Sequence, residues 1–123
     1  PAIDMGQIEG GFIQGMGWLT MEEVKWKSNG QLTTYSPSTY KIPAVSDMPE
    51  KFYAKIFKQG QNIQNVVNKS KTTGEPPLML AMSVFFAIKD AISSVSNYKI
   101  SPLLDAPATP EKILLAINNI TKN

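Results

Sequence analysis

A chain of 123 residues with 42% hydrophobic and 18% charged side chains is sized and composed for one unit folded around a core, which excludes the disordered and low-complexity classes. The net charge is +2, and all twelve basic residues are lysines with no two adjacent, which excludes a nucleic-acid footprint and any guanidinium clamp for phosphate. Cysteine and histidine are absent, so disulfides, thiolate nucleophiles, zinc clusters and imidazole triads are excluded, and acid–base chemistry falls to ten carboxylates, twelve lysines and four tyrosines.

The opening Pro1 carries no methionine, consistent with a segment of a longer polypeptide, and no basic-then-apolar leader follows it, so a cytoplasmic location is the expectation. From residue 7 to 20, Ile8, Phe12, Met16 and Leu19 recur at the spacing of one helical face. Five of the eight glycines (Gly6, Gly10, Gly11, Gly15 and Gly17) lie in or beside this stretch. Each interior glycine costs a helix about 1 kcal/mol relative to alanine, so something must approach that backbone closely.

Val24 and Trp26 alternate with lysines, and Ser28-Asn29-Gly30 supplies turn chemistry before Leu32, which predicts two short strands in a hairpin. Residues 36–43, with two prolines, read as an ordered loop or edge segment. Residues 52–58 alternate with apolar groups on both faces and predict a strand covered on both sides, and Val66-Val67 offers a further one. Residues 78–95 predict a buried core helix. Lys89 and Asp90 interrupt it after roughly eleven apolar positions, short of the ~20 that a membrane span requires. Thr109-Pro110-Glu111 reads as N-cap, first-turn proline and first-turn acid of a last helix striped by Ile113, Ile117 and Ile120. The expected class is α/β (α+β), mixed short strands packed with two or three helices, in one unit over residues 1–123.

Three segments can carry chemistry. Gly74-Glu75-Pro76-Pro77 is by itself a helix entry, with an acid near the positive end of the dipole. The same carboxylate, held on a rigid loop before an apolar helix and partly desolvated, is equipped to act as a general base. The glycine-rich stretch from Gly6 to Gly17 contains no intact dinucleotide-binding fingerprint. Its glycines either allow close helix packing or let the backbone and the Gln7 amide touch a bound cofactor, since Gln offers a donor and an acceptor without charge. Ser70-Lys71 is either an anion contact or an exposed loop.

The strings GQIEGGFIQGMGWLT, SPSTYKIPA, SKTTGEPPLMLAMSVFFAIKDAI and DAPATPEKI, in this order and covering most of the chain, resemble the C-terminal part of the molybdopterin-binding subunit of the xanthine dehydrogenases, within the xanthine oxidase and aldehyde oxidase family. The resemblance implies a molybdenum-dependent hydroxylation of purines such as hypoxanthine and xanthine, in which water-derived oxygen is inserted and hydride passes to the molybdenum centre. It implies Glu75 as the catalytic base and Gln7, Gly74 and Ser70 as contacts of the molybdenum cofactor (molybdopterin), with no metal ligand from this stretch. It implies partners as well: the remainder of the molybdopterin-binding subunit, and iron–sulfur clusters and FAD carried elsewhere. Departures are small, the residues after Lys71 and the length of the 58–67 stretch among them, and neither touches Glu75. Two other readings stay open at this level: an aldehyde oxidoreductase or other molybdenum hydroxylase with the same base, and a non-catalytic binding or structural domain.

Overall fold

Helix α1 (Ala2–Thr20) starts earlier than the apolar spacing predicts and turns the predicted face inward, with Met16 buried and Ile8, Phe12 and Leu19 half-buried. The computed structural model describes residues 2–122, so Pro1 lies outside the described residues. Two shorter helices, α2 (Glu75–Leu80) and α3 (Met82–Val95), follow the central loops, and α4 (Pro110–Thr121) closes the chain. Ala81 joins α2 to α3 with near-helical angles (φ −62°, ψ −14°), so the apolar run continues across the junction. Helix α1 packs on α2 and on α3, and α3 packs on α4.

The core proper sits between α3 and α4. Ile92, Ala116 and Ile120 are buried there, with Ile88, Ile100, Leu104, Ile113 and Ile117 packed around them. The predicted start of α4 is present: the Thr109 hydroxyl accepts from the Lys112 amide at 3.4 Å, and Pro110 opens the helix. The connection ahead of α4 is anchored to the end of α1, where the Ala108 amide donates to the Leu19 carbonyl at 2.7 Å, with Pro102 fully buried nearby in sequence.

The expected α/β class is corrected: the described residues form helices, two 3-10 turns and a single antiparallel bridge, Trp26 with Leu32, but no sheet. The hairpin turn is where the sequence puts it, with Gly30 at φ 81° and the Lys27 amide bonded to the Gln31 carbonyl at 2.9 Å. One more rung follows, the Thr33 amide donating to the Lys25 carbonyl at 2.8 Å, and the ladder ends there because the Lys25 amide is taken by the Thr34 hydroxyl at 3.1 Å rather than by a backbone carbonyl. Residues 52–58 have the alternation of a strand but no neighbouring strand to bond to, and their Tyr53 and Phe57 are exposed. Phe52 and Ala54 are half-buried, the Phe52 ring 5.4 Å from that of Phe12 on α1. Val67 opens a 3-10 turn (Val67–Lys69) instead of a strand.

The predicted core helix is also corrected. Residues Glu75–Val95 run 21 residues, long and apolar enough by length and composition to cross a membrane despite Lys89 and Asp90. Little of that stretch is buried, and Met79, Leu80, Met82 and Phe86 are exposed. A helix apolar on nearly every side needs more neighbours than α1 and α4 provide.

Candidate active site

The glycines of α1 have two different surroundings. At Gly11 and Gly15 the helix backbone lies against α2, and a Cβ at Gly11 would stand 2.5 Å from the Gly74 carbonyl oxygen. At Gly6 and Gly10 a Cβ would meet nothing within 4 Å. These two glycines line an open cleft of about 370 Å³ between the first half of α1 and the start of α2, together with Gln7, Gln14, Gly74 and Glu75.

Three of the four residues singled out in the sequence therefore meet in one cleft. Gln7 faces Gly74 so closely that a methyl on Gly74 would come within 3.6 Å of the Gln7 Oε1. Gly74 has ordinary right-handed angles (φ −89°, ψ −37°), and a methyl there would make only ordinary contact with Gln7, so neither backbone strain nor crowding requires glycine at this position. Its carbonyl accepts from the Leu78 amide at 3.2 Å, the first hydrogen bond of α2, which fixes Glu75 at the head of that helix. Glu75 is exposed in this chain, so the expected partial desolvation has to come from residues outside it. Ser70 is not among the residues lining the cleft; it caps the Val67–Lys69 turn, exposed, and its carbonyl receives the Asn62 amide at 3.5 Å.

Gln14 also lines a second cavity, of about 460 Å³, with Trp18, Glu22, Tyr40 and Pro43. The Glu22 side chain is buried against Gly17, where no Cβ has room, and accepts a hydrogen bond from the Tyr40 hydroxyl. That bond, with burial and the carboxylate charge behind it, raises the Tyr40 pKa above its ordinary value of 10.0. Neither Gln14 nor Glu22 was singled out by the sequence; Glu22 lies just past a helix end and carries no motif. A raised pKa gives stability that is complete below pH 10 and is lost as pH rises through the folded value. Tyr40→Phe is accordingly expected to lower the melting temperature by about 2–4 °C at pH 8. The gap to wild type should close in more alkaline buffer, and thermal unfolding at pH 8 and pH 11 checks it. An equal gap at both pH values would mean that the bond to Glu22 is not its source.

The cleft suits a cofactor with a flat face and its own metal-binding atoms. The Gly6 and Gly10 backbone presents a floor without side chains, the Gln7 amide offers a donor and an acceptor, and among the described residues there is no cluster of three metal-ligating side chains.

Comparison with known proteins agrees with this geometry. Residues 1–49 match a family model described as a molybdopterin cofactor-binding domain. The chain is 48% identical to a xanthine dehydrogenase of Oryza sativa over 99% of its length and 50% identical to a xanthine dehydrogenase/oxidase of Mus musculus over 92%. It is 46% identical to a nicotinate hydroxylase of Emericella nidulans over 97%. Each match covers only 8–10% of the relative, so the chain spans about a tenth of the length of the curated proteins it resembles. Among solved structures, quinoline 2-oxidoreductase from Pseudomonas putida 86 superposes with a TM-score of 0.71 at 28% identity, over 96% of this chain and 14% of that one. Near-half identity held along almost the whole chain, joined to the same backbone arrangement in a solved relative, means that the chain belongs to the xanthine dehydrogenase family and corresponds to a short stretch of its molybdopterin-binding part.

Proposed function

We propose that this chain supplies one wall of the molybdenum-cofactor site of a purine hydroxylase, with Glu75 as its general base. The observation that carries the reading is the convergence of Gln7, Gly74 and Glu75 on a single glycine-floored cleft. When bound, the molybdenum cofactor supplies the oxidising centre, and iron–sulfur clusters and FAD elsewhere in the enzyme carry the electrons away. The residues of this chain do the rest on their side of the cleft. The glycine floor lets the cofactor approach the α1 backbone, and the Gln7 amide orients it through one donor and one acceptor. The Glu75 carboxylate takes up the proton released as water-derived oxygen is transferred to an electron-poor carbon of the substrate.

Water is excluded by the remainder of the molybdopterin-binding subunit, which also covers the exposed apolar side of α2 and α3. The 123 residues alone hold only part of the site and are therefore inactive by themselves. A second reading, hydroxylation of another nitrogen heterocycle, is favoured by one observation: relatives named for xanthine and for nicotinate match this chain almost equally well. Substrate choice accordingly resides in residues outside this stretch. Anaerobic turnover of the complete enzyme in water labelled with heavy oxygen tests both readings. Labelled product from hypoxanthine or xanthine is expected; label appearing only with nicotinate would establish the second reading, and unlabelled product would overturn the hydroxylase assignment.

A further inference from the structure

We infer that Gly11 and Gly15 form the seat that sets the position of the Glu75 carboxylate relative to Gln7; the inference rests on the reading of Glu75 as the general base. Helix α2 has six residues and runs on into α3 through Ala81, so the position of its free, Glu75 end is set by what that end touches. It touches α1 through backbone. The Gly74 carbonyl points at Gly11, and one helical turn on, the Leu78 carbonyl and the Ala81 methyl lie against Gly15. Gly11 and Gly15 are four residues apart on one face of α1, as Gly74 and Leu78 are at the start of α2, so one turn of each helix is seated on the other with only the Ala81 methyl between.

The seat is coupled to the site at both ends. On α2, Gly74 is the residue directly before Glu75. On α1, Gln7 lies one turn before Gly11 on the same face, and the gap from Gln7 to Gly74 is only one methyl wide. A Cβ at Gly11 would have to move from 2.5 Å to ordinary contact at 3.4–4 Å from the Gly74 oxygen, a displacement of about 1 Å delivered to the base. A misplacement of that size lowers a rate by about a hundredfold. Gly6 and Gly10, whose missing side chains leave open space, belong to the cofactor floor, whereas Gly11 borders the same cleft and also bears on Gly74.

Gly11→Ala in the complete, metal-replete enzyme tests the seat by crystallography and by single-turnover reduction. Expected are a shift of Gly74 and Glu75 away from Gln7 by about 1 Å and a rate about a hundredfold lower, with molybdenum content and KM near wild type. Should that variant fail to fold, Ala81→Gly alone removes the methyl that lies against Gly15 and loosens the seat without adding an atom; a smaller shift of Gly74 and Glu75 and a rate at least threefold lower are then expected. An unmoved loop, or a moved loop with wild-type rate beside an impaired Glu75→Gln, overturns the seat and leaves the base intact. A wild-type rate in Glu75→Gln would instead remove the base, and the crystallographic shift would still decide whether the glycines set the loop.

Discussion

Glu75→Gln in the complete enzyme is expected to lower the rate of substrate-driven cofactor reduction by at least about 10²–10⁴, the usual contribution of a positioned general base. The amide keeps the size and shape of the carboxylate at the head of α2, so the Gly74 carbonyl, the first helical hydrogen bond and the contact with α1 are untouched. Folding and molybdenum content should stay close to wild type, which separates a missing proton acceptor from a damaged cleft. The measurement is single-turnover reduction in metal-replete enzyme. A rate within about threefold of wild type, far below the smallest expected effect, would end the assignment.

Ile92→Ala is expected to be the most damaging single truncation of the core. Ile92 is 2% exposed and joins α3 to Ala116 and Ile120 of α4, while few other apolar side chains in the chain are as fully buried. Removing three methyl or methylene groups there costs about 2–5 kcal/mol, against a total stability of about 5–15 kcal/mol for a domain. A fall in melting temperature on the order of 10 °C follows, accompanied by loss of helical signal as α4 detaches. Urea unfolding of wild type and variant, followed by circular dichroism, reads it. A change below about 0.5 kcal/mol would mean that α4 is held by something other than this cluster.

The helices were legible because their signals are local. Thr109-Pro110-Glu111 caps α4 as written, and the face through Ile8, Phe12, Met16 and Leu19 turns inward as its spacing demands. The strands were not, because alternation describes only which way side chains point, whereas a strand needs a neighbour to bond to. Residues 52–58 have the first without the second. The burial of residues 78–95 was overread for a related reason: an all-round apolar helix announces that it will be covered but not by what, and this chain holds too few elements to do it. At the site, Gln7, Gly74 and Glu75 were found through a sequence resemblance and converge in space. The close approach at Gly11 was invisible, since Gly10 beside it in sequence borders the same cleft and meets nothing within 4 Å.

The glycines of α1 also dictate the order in which the cleft is assembled. A helix carrying five of them has too little intrinsic propensity to persist alone, so it gains its stability when α2 docks on it. Helix α2 is encoded about fifty residues further on, and at a synthesis rate of roughly 5–20 residues per second it follows α1 by several seconds. Throughout that interval α1 lacks the neighbour that seats its glycines. The cleft, whose lining comes from both helices, takes shape only when Gly74 and Glu75 are brought up against Gln7.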